Sequence, residues 1–149
     1  MKQEITVKAF FLSIFLSIVL SSAMAYLGLY AGMTISASIP AAIMSMGILK
    51  LFRESNILEN NIVQTAASAG ESLAAGVIFT IPALLLIGYW DTIDYWEVTK
   101  IAMVGGILGA LFTVPLRRAL ILKANLRFPE GVATAAVLKT GHESDAKKS

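Results

Sequence analysis

Polar side chains recur at helical spacing in the run 60–72, which leads directly into a long apolar segment. Four of them, spaced by four, four and three residues, would share one face of a helix: Asn60, Gln64, Ser68 and Glu71. Glu71 lies at the edge of a stretch apolar enough to cross a membrane, where a carboxyl group is costly and usually functional. The pattern predicts either a stretch that lines a substrate or proton path, or a helix start whose polar groups pair with neighbouring helices.

The predicted path uses side-chain amides, hydroxyls and one carboxyl group. The amides and hydroxyls would offer hydrogen bonds to a substrate or to an adjacent segment, and Glu71 would carry a proton or bind a substrate amine. The alternative interpretation is structural, because polar side chains also cap helices and pair with neighbouring spans. The candidate residues are Asn61, Gln64, Thr65, Ser68 and Glu71.

Composition identifies an integral membrane protein. The chain has 149 residues, is 56% hydrophobic and only 15% charged, and has a mean hydropathy of +0.73. The stretch 9–49 contains no Asp, Glu, Lys or Arg, and it is long enough for two spans of roughly 20 residues each. Because the chain has no cysteine, disulfides and thiolate metal sites are excluded, and we predict neither a metal site nor a cofactor. An intramembrane enzyme is poorly supported, since the spans hold no Ser–His or paired-Asp arrangement.

These elements predict an all-α, polytopic transmembrane bundle over 1–139, followed by a polar tail at 140–149. A further apolar run, at 129–138, is too short to span a bilayer and predicts a re-entrant or interfacial helix. Its Pro-Glu start, with Glu130, suits a first helical turn, and we expect Glu130 to be structural. The four predicted spans cover about residues 6–26, 30–51, 65–89 and 100–122.

The charges and aromatic residues predict an orientation. With both termini cytoplasmic, Lys100 is the only Lys or Arg that falls on the opposite side, as the positive-inside rule requires. The basic pI of about 9.0 therefore reflects topology in the plasma or inner membrane, and no nucleic-acid partner is predicted. A competing interpretation is a cleavable signal peptide, because Lys2 and Lys8 precede an apolar run that reaches the Ala23-Met24-Ala25 sequence. Amphipathic rings cluster opposite the cytoplasm: Tyr26, Tyr30, Tyr89, Trp90, Tyr95 and Trp96.

Small residues recur on the predicted spans and indicate helix packing. Ser13, Ser17 and Ser21 form a stripe on the first span, and Gly105 and Gly109 form a GxxxG pattern on the fourth. Small side chains let helix backbones approach closely in lipid. We interpret both stripes as packing surfaces and not as ligand sites.

Two longer motifs resemble a known family. The run N-I-V-Q-T-A-A-S-A-G-E-S-L-A-A-G-V-I-F-T-I-P-A-L (61–84) resembles the signature region of the oligopeptide transporter family, which includes the yellow-stripe-like metal-chelate transporters. The run L-R-F-P-E-G-V-A-T-A-A-V-L (126–138) resembles a second family motif. Tyr30-Ala31-Gly32-Met33, followed by Pro40, is similar to the family's second-helix region, which makes Tyr30 a secondary site candidate with Glu130.

The resemblance implies a secondary transporter that moves small peptides or peptide-like metal chelates by proton co-transport. The family fold is an all-α bundle of more than a dozen spans, so this chain is expected to be its N-terminal portion, a fragment or half of a split protein. The implied partners are membrane lipid, the substrate, protons and the remaining transporter helices or an oligomeric partner. The alternative is a small accessory or assembly subunit with no transport path of its own.

Overall fold

The computed structural model describes residues 5–52, 56–124 and 126–146, and side chains as far as residue 143. These residues form five α-helices and one π-helical segment, with no strand in the described part, so the prediction of an all-α chain is confirmed. In chain order the elements are α1 (Val7–Ala31), α2 (Ser38–Lys50), α3 (Ile57–Leu86), α4 (Tyr95–Leu116), the π-helical segment (Arg117–Lys123) and α5 (Pro129–Ala146).

Three of the described helical stretches are long and apolar enough to cross a membrane. They are α1, α3, and α4 continued by the π-helical segment. The π-helical segment begins two residues after Pro115, which has no backbone N–H to donate within the helix. These three stretches correspond to the first, third and fourth predicted spans.

The second predicted span, about 30–51, takes a different form. The structure ends α1 at Ala31 and leaves 33–37 non-helical, so α2 has only 13 residues and a length of about 20 Å, against about 30 Å for the hydrocarbon core. Gly32 causes the break, because its left-handed φ of 69° suits glycine and its N–H bonds to the carbonyl of Gly28. Hydropathy is continuous through this break and therefore does not reveal it.

The fifth helix also extends beyond the sequence prediction. The apolar run predicts a helix over 129–138, whereas α5 continues to Ala146 through most of the predicted polar tail. Its later part packs on α2, because a Cβ added at Gly141 would meet the side chain of Met46. Contact with α2 therefore supports a helix that apolar periodicity alone does not predict.

The described chain divides into two compact units, Met1–Ala75 with Pro129–Ser149, and Gly76–Phe128. The first unit has a hydrophobic core contributed by α1, α2, the segment before α2 and the beginning of α3. Small residues are frequent in this core, which lets the helices approach closely. The core residues are Ala9, Leu16, Leu20, Ala37, Ala41, Leu49, Val63 and Ala67.

Helices α1 and α3 approach closely at Gly70. A Cβ added at Gly70 would clash with the side-chain oxygen of Ser17, and it would lie 3.1 Å from the Ser17 Cβ and 3.2 Å from the Ser21 oxygen. The serine stripe of the first span is therefore a packing surface, and Gly70 is the residue that it accommodates.

The second unit contains the end of α3 and all of α4. Asp94 caps α4 by accepting hydrogen bonds from the backbone N–H groups of Trp96 (2.7 Å) and Glu97 (3.0 Å). No residue of α4 or of the π-helical segment is buried in the described part of the chain. A Cβ added at Gly105 or Gly109 would meet no atom within 4 Å.

Candidate functional site

The beginning of α3 is stabilised by side-chain capping. Asn56 precedes the helix, and its side-chain oxygen lies 3.4 Å from the backbone nitrogen of Leu58. In return, the buried carboxylate of Glu59 accepts a hydrogen bond from the backbone N–H of Asn56 at 3.1 Å. This reciprocal arrangement is a capping box, which satisfies donors that a helix start leaves without partners.

The polar stripe of α3 is buried in the first unit. Asn60, Gln64 and Glu71 are only 4%, 9% and 5% exposed, and Ser68 is half-buried. The hydroxyl of Ser45 on α2 lies 3.4 Å from the Asn60 carbonyl oxygen. The helical spacing in the sequence therefore identifies the face of α3 that packs against protein.

Three parts of the first unit converge in a serine–glutamate cluster, formed by Ser36, Ser38, Ser68 and Glu130. The hydroxyl oxygens of Ser38 and Ser68 are 3.1 Å apart, and those of Ser36 and Ser38 are 3.2 Å apart. Ser36 also donates to the carboxylate of Glu130, in the first turn of α5. The cluster thus ties the non-helical segment before α2 to both α3 and α5.

Hydrogen bonding favours the charged form of Glu130. The hydroxyl of Ser36, and then that of Ser38, hold the pKa of this carboxyl below its ordinary value, against a smaller opposing effect of burial. Glu130 is exposed and lies outside the candidate membrane spans. It is therefore a carboxylate near neutral pH, and its contacts connect α5 to the segment before α2.

A cavity of about 360 Å³ lies beside this cluster, between the first turns of α3 and one face of α5. We call it the α3–α5 cavity. Its volume falls within the usual range for small-molecule sites, about 300–1,000 Å³. Its lining mixes apolar side chains with amides, hydroxyls and one ammonium group: Ser38, Ile57, Leu58, Asn61, Gln64, Gly131, Thr134, Ala135, Leu138 and Lys139.

The structure brings several of the predicted path residues together. Asn61 and Gln64 line the α3–α5 cavity, and Ser68 reaches it through the Ser38 hydroxyl. Thr65 is exposed, and its hydroxyl donates to the Asn61 carbonyl oxygen at 2.7 Å and lies 3.3 Å from Gln64 Oε1. The shorter contact shows that Thr65 bonds mainly to the backbone of its own helix, with the amide of Gln64 beside it.

Two predicted residues lie apart from the cavity. Glu71 is buried seven residues beyond Gln64, about 10 Å further along α3, and is not in the described lining. Tyr30 is 81% exposed and stacks on Tyr26, with ring centroids 5.9 Å apart. Among the residues that the structure describes, no group of three or more His, Cys, Asp or Glu side chains could hold a metal ion.

Sequence reasoning missed four residues of this region. Thr134 and Lys139 lie in or just after the second motif, and their spacing from Gly131, by three and eight residues, places them on one helical face. That spacing could have predicted a shared face for Thr134 and Lys139. No sequence pattern places Ser36 and Ser38 at the site, because they join it only when Gly32 ends α1 and the chain turns back towards α3.

Comparison with known proteins agrees with this architecture. The family model described as OPT oligopeptide transporter protein matches residues 4–149. A relative from Haemophilus influenzae, named "Putative oligopeptide transporter", is 52% identical over 107 residues, which are 72% of this chain and 17% of the relative. The chain thus spans about a sixth of that relative's length. No solved structure matches the chain. The family match and the three apolar helices show that this is a membrane protein, and that the chain belongs to the oligopeptide transporter family.

Proposed function

We propose that this chain forms the N-terminal helical part of a proton-coupled secondary transporter for small peptides or peptide-like metal chelates. Family membership supports transport as the function. The observation that carries the rest is the buried polar stripe of α3, on a helix that is long and apolar enough to cross a membrane. Polar and ionisable groups in such helices are expensive, and they commonly mark substrate or ion pathways.

In this proposal the α3–α5 cavity contacts the substrate. Asn61 and Gln64 offer amide groups to the peptide bonds of the substrate, and the exposed Thr65 lies beside Gln64. Ser68 connects the stripe to the serine–glutamate cluster. The cavity is bounded on its other side by α5, so movement of α5 against α3 would change its volume.

Glu71 carries the proton in the same proposal. Its carboxyl is 5% exposed, and it lies further along α3, beyond the cavity. A carboxyl that is withdrawn from water on a membrane-crossing helix can take up a proton on one side of a membrane and release it on the other. The rival role for Glu71 is a structural contact with another helix.

The test is uptake by the complete transporter, reconstituted in vesicles, with Glu71→Gln. Gln keeps the shape of the side chain but cannot exchange a proton, so we expect proton-driven uptake to fall at least about a hundred-fold, the lower range for losing a proton-transfer group. Glu59→Gln is the matched control, because Glu59 is an equally buried carboxyl on α3 that serves the capping box.

The two variants separate coupling from folding. Glu59→Gln should lower the yield of folded protein and leave the pH profile of uptake unchanged. Glu71→Gln should keep the yield and remove the dependence of uptake on the proton gradient. A Glu71→Gln transporter with the wild-type rate and pH profile would exclude Glu71 from the proton path.

A further inference from the structure

The α3–α5 cavity has an uneven distribution of charge. Among its described lining residues, Lys139 is the one with a charged side chain, and none is acidic. Asn61 and Gln64 contribute amides, and Ile57 and Leu138 belong to its apolar wall. A cavity with one cation, two amides and an apolar wall suits a ligand that carries a negative group on a partly apolar body.

Lys139 and two amides give the cavity N–H donors for a ligand. The Thr65 hydroxyl uses its proton on the backbone carbonyl of Asn61 at 2.7 Å, so the amide of Gln64, 3.3 Å away, keeps its N–H groups for a ligand. The hydroxyl of Thr134 donates to the Glu130 carbonyl oxygen at 3.0 Å, so its proton is already used. Lys139 adds three N–H donors and has no acceptor. The ligand group that matches this set is an acceptor with negative charge, for which a carboxylate qualifies.

A charge of the opposite sign lies near the cavity but outside its described lining. Ser38 lines the cavity and also binds Glu130, whose carboxylate is held there by Ser36. Glu130 and Lys139 are nine residues apart on α5, which corresponds to about 13–14 Å along the helix. Nine residues are also about two and a half helical turns, which places Glu130 and Lys139 on opposite sides of α5, so Lys139 is the charge that a ligand in the cavity meets.

We propose that the Lys139 end of the α3–α5 cavity binds a carboxylate of the transported molecule, which in a peptide is the free C-terminal carboxylate. Lys139 is then a specificity-determining residue, and Gln64 assists it with amide N–H groups. The inference rests on the proposed transport function, because it names the group that the same cavity recognises. Peptide-like chelates offer the same carboxylate chemistry.

The experiment compares two peptides of identical sequence, one with a free C-terminus and one with a C-terminal amide. Uptake is measured with the complete transporter in vesicles, for wild type and Lys139→Gln. Wild type should have the lower KM for the free acid. Lys139→Gln should raise that KM about ten-fold or more, the usual effect of losing a charged hydrogen bond, and should leave kcat and the KM for the amide unchanged.

Two further variants control for charge and folding. Lys139→Arg keeps a positive charge and should keep the preference for the free acid. Lys8→Gln removes one positive charge from an exposed position on α1, outside the described lining, and should also keep it. A structural role for Lys139 would instead change both peptides equally.

The outcomes distinguish the inference from the function on which it rests. If wild type takes up neither peptide, the proposed function is wrong and the inference falls with it. If wild type takes up both peptides with equal KM, the inference alone is overturned, and this result needs no variant. If wild type prefers the free acid and Lys139→Gln keeps that preference, Lys139 is not the residue that binds the carboxylate.

Discussion

The first half of α3 and the whole of α4 are both parts of apolar helices that could cross a membrane, yet they differ in burial. The first half of α3 carries a polar stripe, and that stripe is buried: Asn60, Gln64 and Glu71 are each less than a tenth exposed. No residue of α4 is buried in the part of the chain that the structure describes, although α4 carries a GxxxG pattern.

This difference shows that hydropathy predicts a membrane-crossing helix but does not predict which of its faces packs against protein. Average hydropathy identifies both helices as spans, because lipid and a protein interior are similarly apolar. Polar side chains indicate which face of a helix turns away from lipid, since an unsatisfied polar group in hydrocarbon is expensive and must face protein or water. Small side chains permit close packing and do not require it, so the glycines of α4 show only that a partner could fit.

The largest expected effect is at Gly70, where α1 and α3 approach closely. Gly70→Ala should lower the free energy of unfolding by about 1–3 kcal/mol, the usual cost of overpacking. Rotation of the Ser17 hydroxyl gives little relief, because the Ser17 Cβ would still lie 3.1 Å from the new methyl group. Unfolding by SDS titration in micelles, followed by circular dichroism, measures the change.

Two variants make this prediction specific to the α1–α3 contact. Gly76→Ala lies on the same helix in open space, so it should be neutral or stabilising by up to about 1 kcal/mol. Ser17→Gly removes the opposing side chain and should restore much of the stability of Gly70→Ala. An unchanged Gly70→Ala protein would mean that α1 and α3 do not approach as closely as described.

The polar stripe could be predicted from sequence because it depends only on the spacing of residues within one helix. The spacing of Asn60, Gln64, Ser68 and Glu71 fixes one face of a single helix, and the cost of burying polar groups decides where that face points. The existence of α1, α3 and α4 follows in the same way from apolar length. Their roles in transport remain predictions, because burial alone does not distinguish a path from a packing contact.

The rest of the site depends on contacts between distant residues. Helix α1 ends at Gly32 because the backbone there is left-handed, although the apolar run continues. This break makes α2 short, and it brings Ser36 and Ser38 to Glu130. The α3–α5 cavity depends on the position of α5, and the polar half of α5 lacks the apolar periodicity that would predict a helix. Sequence pattern predicts faces of helices, and tertiary packing decides which faces meet.

An effect of the same range is expected on α4, but only in the complete transporter. If helices from the rest of the transporter pack on Gly105 and Gly109, Gly109→Leu should destabilise the complete transporter by about 1–3 kcal/mol. In this chain alone it should be neutral or slightly stabilising, because a Cβ at that position meets open space and Leu is the better helix former. Thermal unfolding in detergent measures both proteins.

A graded variant decides whether packing is the cause. Gly109→Ala adds one methyl group and should affect the complete transporter less than Gly109→Leu does. Equal stability of all three complete transporters would show that the glycine face of α4 contacts lipid.

The smallest effect is expected at Glu130, whose contacts extend the packed region to α5. Its pKa in the folded chain lies below the ordinary 4.5, because Ser36 and then Ser38 donate to the carboxylate. The folded state therefore binds this proton less readily than the unfolded state. The resulting stability is present at neutral pH and is lost as pH falls below about 4.5 and through the folded pKa. We expect it to be at most about 1 kcal/mol, since the group is exposed and solvent screens it.

Replacing either partner at this contact should remove the acid dependence. Gln at position 130 keeps the size of the side chain but does not titrate, so Glu130→Gln should be slightly less stable than wild type at pH 7, and the difference should shrink as pH falls towards 3. Ser36→Ala removes the principal donor and should weaken the same dependence, with the carboxyl still in place. SDS unfolding of the three proteins between pH 7 and pH 3 measures the difference. Parallel curves for wild type and Glu130→Gln over that range would mean that the Ser36–Glu130 hydrogen bond adds nothing to the packed region, and that packing on α2 alone holds α5 in place.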